Sequence, residues 1–312
     1  MSIDRKKLKW IRAVNLLHTG LIMLALVSLV AILGYWLFGA DIAFLMLFTL
    51  VAILVLGSFD ASAILLRSYR AQAIARGQAP DLYHVLDLLS ERAGLSTPPT
   101  LYYLPYFSMT AFASGNSDKS VIALSDGLMR QLNFDDVIGV LAHEISHIRH
   151  GDLKIMVMAD ILGHLARLLC TLGFFALLLF FPLILLGMIQ LSLWPVFLMI
   201  CSPVLSALLQ LALSRNREFL ADISAAQLMG NPQPLISALV KLDDQNVMWE
   251  RYLSLARESQ LLRTHPTTQE RIKLLHSVEL VPQWQPLNTE GQFQPHWQRV
   301  DRRKRHLPNW WP

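Results

Sequence analysis

The stretch Asn133-Phe134-Asp135-Asp136-Val137-Ile138-Gly139-Val140-Leu141-Ala142-His143-Glu144-Ile145-Ser146-His147-Ile148-Arg149-His150-Gly151 decides how this chain is read. Asn133 is a good helix N-cap, and Asp135 and Asp136 stand in the first turn, where the helix dipole favours acids. Val137, Ile138, Leu141, Ile145 and Ile148 supply apolar positions, and Gly151 supplies a C-terminal stop. The predicted helix carries His143-Glu144-Ile145-Ser146-His147. Residues four apart lie one turn apart on one face. Two such imidazoles can hold one Zn²⁺ at ~2.0–2.1 Å each. Glu144, between them, is placed to take a proton from a water whose pKa the metal lowers toward ~7. A plain amphipathic helix with solvated His and Glu would show the same five residues. The capped, otherwise apolar setting is what favours the catalytic reading.

A catalytic zinc needs a third protein ligand and an open position. The candidates are Glu218, His150, Asp152, His164 and His265. His150 follows His147 by three residues on the same helix and is poorly placed to close a tetrahedral site. Glu218 lies in Ser214-Arg215-Asn216-Arg217-Glu218-Phe219-Leu220-Ala221-Asp222. Glu218 and Asp222 share a face, so one can bind metal while the other supports a ligand histidine from behind. An ordinary charged helix turn would look the same without the first motif.

Further outward, the composition is that of a membrane protein. Hydrophobic residues make up 54% and charged residues only 16%, against roughly a quarter charged in soluble domains. Four apolar segments, at about residues 14–38, 42–66, 168–189 and 191–213, are near or above the ~20 residues that span a bilayer. Short breaks at 39–41 and near 190–195 pair them into two helical hairpins. Basic residues flank the outer ends: Arg5, Lys6, Lys7, Lys9 and Arg12; Arg67, Arg70 and Arg76; Lys154 and Arg167; Arg215 and Arg217. The short connections carry none. The positive-inside rule then predicts both termini and both polar regions in the cytoplasm. The net charge of +4 is explained by this flanking, so no nucleic-acid partner is required. Cys170 and Cys201 lie inside apolar runs and read as small buried hydrophobes.

The predicted organisation is an N-terminal membrane hairpin (1–67), a first polar piece with the central helix (68–167), a second hairpin (168–213), a second polar piece (214–281) and a tail (282–312). Residues 81–93 have helical periodicity through Leu82, Val85, Leu86 and Leu89. Residues 100–103 and 120–124 look like strands, with 113–119 a turn between them, which predicts a small antiparallel sheet. In the tail, Trp297, Trp310 and Trp311 with Arg302, Arg303, Lys304 and Arg305 either lie on the membrane surface or form a plain disordered end. Thr267 and Glu270 read as a capping box opening another helix.

His143-Glu144-Ile145-Ser146-His147, Gly151-Asp152, Glu218-Phe219-Leu220-Ala221-Asp222 and His265-Pro266-Thr267-Thr268-Gln269-Glu270-Arg271-Ile272 resemble the blocks of HtpX-like and CAAX-prenyl-protease-like membrane zinc metallopeptidases. The resemblance implies an α+β, mainly helical gluzincin-type peptidase binding one Zn²⁺ through His143, His147 and Glu218. It further implies Asp222 behind a ligand, His265 at the oxyanion, and Arg271 as a structural partner. A protein or peptide substrate, quality control of membrane proteins and a bacterial inner membrane location are implied too. One departure stands out. The family commonly has Asn-Ala-Phe where this chain has Thr110-Ala111-Phe112, and a threonine lacks the two-sided grip of an amide. Substrate is expected to add as a strand at the edge of the small sheet. Four helices are too few to enclose a lipid chamber, so prenylated substrates are not expected. A membrane scaffold or metal-binding regulator is the rival class, and it has no use for Glu144. A transporter is poorly supported, because the last two segments contain no acidic residue.

Overall fold

The computed structural model describes residues 5–56, 62–116, 119–188, 192–253, 267–277 and 284. Two long helices open the chain, α1 (Arg5–Phe38) and α2 (Ala40–Leu56), packed side by side after a break at Gly39. A short helix α3 (Ser62–Ser68) leads to strand β1 (Gln72–Ala73), helix α4 (Pro80–Ala93) and strands β2 (Thr100–Leu104), β3 (Ala111–Asn116) and β4 (Lys119–Ser125). Five of the remaining six helices follow as α5 (Asp126–Gln131), α6 (Phe134–His150), α7 (Asp152–Leu185), α8 (Leu193–Met229) and α9 (Gln233–Leu253), with α10 (Thr268–Ser277) last.

Among the described residues, three helices are long and apolar enough to cross a membrane: Ala13–Phe38, Asp152–Leu185 and Leu193–Met229. Four were expected. The segment at 42–66 is instead described as the 17-residue α2 and the 7-residue α3. Residues 57–61 between them lie outside the described residues; the sequence there includes Gly57, a weak helix former, and Asp60. The other two spans are longer than expected. At 1.5 Å per residue, the 34 residues of α7 extend about 51 Å, well beyond a ~30 Å hydrocarbon core. The segment expected at 168–189 is the distal part of α7, and that expected at 191–213 is the first part of α8. Both helices run on without interruption into the polar half of the molecule.

The sheet is mixed, not antiparallel as expected, with order β1-β2-β4-β3. Residues 113–119 were read as a turn because Ser, Gly, Asn and Asp dominate them. Ala111–Asn116 is extended instead, pairing antiparallel with β4 from Ala111↔Leu124 to Asn116↔Lys119. The chain reverses from β2 to β3 and again from β3 to β4, so β2 and β4 run parallel, and they pair from Thr100↔Val121 to Leu104↔Ser125. This topology leaves β3 on the edge, where it packs beside α6.

Two cores hold the elements together. Leu82, Leu86 and Leu89 of α4, Leu101, Ile122 and Leu124 of the sheet, Leu141 and Ile145 of α6, and Ala225 of α8 are fully or almost fully buried in the first. The second joins Leu26, Leu29 and Leu33 of α1 to Leu162, Ala166 and Leu169 of α7 and Leu213 of α8. Gly139 allows α6 to meet α9 closely, since a β-carbon there would sit 2.7 Å from the Leu235 amide nitrogen.

Candidate metal centre

Helix α6 forms with the caps its sequence predicts. The Asn133 amide donates to Asp136 Oδ2 at 3.0 Å, and Asp136 is also paired with Lys241 of α9. At the far end Gly151 adopts φ 68°, ψ 22°, a left-handed turn that glycine enters at no steric cost. The turn starts α7 at once, which brings Asp152 back beside His147.

His143 and His147 face each other, Nε2 to Nε2, at 3.1 Å. Glu218 of α8 completes the group, with Oε2 3.4 Å from His143 Nε2 and Oε1 3.8 Å from His147 Nε2. Each ring is held from its other nitrogen. His143 Nδ1 donates to Asp222 Oδ1 at 3.0 Å, and His147 Nδ1 donates to Asp152 Oδ2 at 2.9 Å. A carboxylate only accepts, so both Nδ1 atoms carry protons, and each ring, when neutral, presents its Nε2 lone pair to the group. Lone pairs and a carboxylate converging at these separations repel unless a cation, or an extra proton, lies among them.

The donor set fits a divalent ion on two counts. A tetrahedral zinc with ligands at ~2.0–2.1 Å has ligand–ligand edges of about 3.3–3.4 Å, and the three observed separations, 3.1, 3.4 and 3.8 Å, straddle that value. Charge gives the second count. Glu144, Asp152, Glu218 and Asp222 are each at most 9% exposed, and among them lie the guanidiniums of Arg217 and Arg271, with side chains 5% and 12% exposed. Four carboxylates against two guanidiniums make a site with an excess of acidic groups, which suits a bound cation.

Arg271 of α10 grips Asp222 with two bonds, 2.7 Å from Nε and 2.6 Å from Nη2, and its Nη1 lies 3.3 Å from Glu218 Oε2. Burial would raise the Asp222 pKa, but the Arg271 bonds and charge, aided by His143, hold the carboxyl below its ordinary range. Burial works against a charged His143, yet its hydrogen bonds to Asp222 and Glu218 outweigh this and push it up to about 10.

The centre opens into a cleft of about 550 Å³ lined by His143, Glu144, His147, Glu218 and Arg271. Thr110, Ala111 and Phe112 line the same cleft, beside the edge strand. The Thr110 backbone is already committed: its amide donates to Ser125 Oγ at 2.9 Å, and its carbonyl accepts from the Ser125 amide at 3.0 Å. What faces a substrate there is its exposed side chain, whose hydroxyl lies 3.4 Å from Ser108 Oγ.

The other candidate ligands fall elsewhere. His150 Nε2 lies 3.2 Å from Ser224 Oγ, and His164 Nδ1 lies 2.8 Å from the Asp160 carbonyl on an exposed face. His265 and the tail residues Trp297, Arg302, Arg303, Lys304, Arg305, Trp310 and Trp311 lie outside the described residues. Thr267 and Glu270 do form the expected box, with bonds of 3.1 and 3.3 Å. Sequence reasoning missed two residues. Asp152 was weighed as a ligand and is a support for one. Arg217 was counted as a solvated topology charge and is 4% exposed, bonded to Asp152 Oδ1 at 2.6 Å. Its place directly before Glu218, on the face that turns inward, was the available signal.

A His-Glu-x-x-His helix completed by a glutamate from a second helix, at the foot of membrane-length apolar helices, defines a membrane metallopeptidase. The chain belongs to peptidase family M48, which it matches over residues 77–279. It is 31% identical over 306 residues to a protein named Protease HtpX homolog from Pyrococcus furiosus, covering 87% of this chain and 96% of the relative. It is 32% identical over 302 residues to Protease HtpX of Legionella pneumophila, covering 85% and 99%. A weaker likeness, at TM-score 0.47 and 20% identity over 82% of this chain and 62% of the other, is to the crystal structure of S. mikatae Ste24p; at that level it carries no argument.

Proposed function

We propose that this protein is an integral-membrane, zinc-dependent endopeptidase. The observation that carries the reading is the convergence of His143, His147 and Glu218, with ligand atoms within 4.8 Å of one another, on a cleft that also exposes Glu144. Zinc, held by those three side chains, supplies a Lewis acid that polarises a carbonyl and acidifies water. Glu144 takes the proton of the attacking water and passes it to the departing amine nitrogen. Asp222 and Asp152 keep the two imidazoles in the tautomer that presents Nε2. His265, just ahead of the Thr267–Glu270 box, stabilises the oxyanion, a role drawn from family resemblance.

The substrate lies extended against the outer edge of β3, beside Ala111 and Phe112. Edge position in the sheet and a place on the cleft wall support this mode. The apolar lining, which includes Met109, Phe112, Leu128, Val140, Leu235 and Leu239, suits apolar side chains. Both termini and the active site face the cytoplasm, supported by the basic flanks of the apolar helices. A role in membrane protein quality control is drawn from the resemblance of the motif blocks to HtpX-like peptidases.

The test is cleavage of a peptide library by the purified protein and by Glu144→Gln. The substitution is expected to leave zinc bound and to lower the cleavage rate by at least about 10²-fold. Wild-type cleavage in the variant would remove Glu144 from the chemistry and favour a scaffold or metal-binding regulator.

A further inference from the structure

The two metal-ligand histidines are supported from different parts of the molecule. Behind His143 stand Asp222 and Arg271, on α8 and α10 of the polar half. Behind His147 stands Asp152, and behind Asp152 stands Arg217 at 2.6 Å. The second guanidinium nitrogen of Arg217, Nη2, donates to Thr19 Oγ1 at 2.8 Å. Thr19 lies on α1, 198 residues away in sequence, within the first apolar span Ala13–Phe38.

Every bond in this series has a fixed direction. The Thr19 hydroxyl donates to the Asn15 carbonyl at 2.8 Å, one turn back on the same helix. Its lone pairs are therefore what Arg217 meets. Arg217 has only donors, so it takes acceptors on both sides. Asp152 accepts from Arg217 on Oδ1 and from His147 on Oδ2. Thr19, Asp152 and Arg217 are 7%, 1% and 4% exposed. Arg217 Nη1 and Nη2 each find an acceptor while its buried Nε finds none among the described residues, so these two bonds carry the hold on the group, and losing either leaves a further buried donor unmatched. The bonds thus run without a gap from Thr19 through Arg217 and Asp152 to the His147 ring.

We infer that Thr19 and Arg217 are positioning residues of the metal centre, through which the first membrane helix sets the orientation of His147 and hence the metal affinity. The inference rests on the reading of His143, His147 and Glu218 as a metal site. It makes α1 part of the working centre as well as an anchor. It also predicts unequal supports: His147 depends on the seating of α1, while His143 does not.

The experiment is zinc binding to the full-length, detergent-solubilised protein in competition with a chromogenic chelator. Thr19→Val keeps the shape and removes the acceptor; Thr19→Ser keeps the acceptor; Leu26→Ala loosens the same helix within the apolar core without touching the bond; Asp222→Asn weakens the other ligand's support. Thr19→Val is expected to weaken zinc binding about tenfold, the low end of the range for partners standing behind a ligand. Thr19→Ser is expected to restore it, and Leu26→Ala to leave it within about twofold. Wild-type affinity in Thr19→Val beside a loss in Asp222→Asn would overturn the inference and leave the metal reading standing. Equal losses in Thr19→Val and Leu26→Ala would also overturn it, since loosened packing would then explain both. If Thr19→Val does not fold, Thr19→Ser against Thr19→Ala decides on the same readout, with equal affinities counting against the bond. Absence of zinc binding by the unsubstituted chain would sink the metal reading itself.

Discussion

His143 sits between a proton and a metal. Its pKa in the metal-free centre is pushed up to about 10 by Asp222 and Glu218, so at neutral pH binding a metal must expel that proton. Apparent zinc affinity is expected to rise about tenfold per pH unit up to about 10 and then level. Calorimetry in buffers of different ionisation heat should find about one proton released near neutrality; zero release and a flat affinity would contradict the assignment. The sign for stability is the opposite. A raised folded-state pKa stabilises the metal-free fold fully below the unfolded value of ~6.5 and loses that stabilisation as pH climbs through about 10. Thr110 gives a second prediction at this scale. Its backbone is bound to Ser125, so only the side chain can hold substrate, and Thr110→Asn adds one hydrogen-bonding group. A gain of one such bond, about 0.5–1.5 kcal/mol, corresponds to a two- to tenfold rise in kcat/KM. An unchanged or lower value would place the substrate away from Thr110. The candidate ligands that converge in the structure were legible in sequence: helical spacing puts His143 with His147 and Glu218 with Asp222 on shared faces, and the family resemblance joined the two pairs. Arg217 was not, since a basic residue at the end of an apolar run looks the same whether it meets solvent or a buried carboxylate.

Helix α6 is pressed against α9 at Gly139, where added atoms have nowhere to go. Gly139→Ala gains helix propensity worth about 1 kcal/mol, but its β-carbon would meet the α9 backbone 2.7 Å away. Overpacking against backbone costs about 1–3 kcal/mol, so the variant is expected to melt at lower temperature. A higher melting temperature would show that α9 can yield. The caps of α6 and the box opening α10 were readable because they depend on residues three or four apart. The sheet was not, since its direction depends on whether Ala111–Asn116 turns or extends, and Ser, Gly and Asn permit both locally. Pairing with β4 decides it, and that is a tertiary effect. The lengths of α7 and α8 were missed for a related reason. Hydropathy marks where a helix leaves lipid, and says nothing of whether it ends there.

At the scale of the molecule, the candidate metal centre and the long apolar helices are joined into one structure. Asp152 begins α7, Glu218 and Asp222 lie on the polar extension of α8, and Thr19 ties α1 to both through Arg217. The basic flanks predict that the end of α7 faces outward and the sheet faces the cytoplasm. With Cys170 and Cys201 replaced by serine, Met188→Cys should react with an impermeant maleimide in intact cells, and Lys119→Cys only after lysis. The reverse pattern would invert the topology. The central claim is that cleavage depends on a metal held by His143, His147 and Glu218. The most direct measurement is peptide cleavage by the full-length protein after metal removal by chelation and again after adding one equivalent of zinc. Cleavage lost on removal and restored by a single equivalent is the predicted result; cleavage that continues undiminished in metal-free protein would contradict the account.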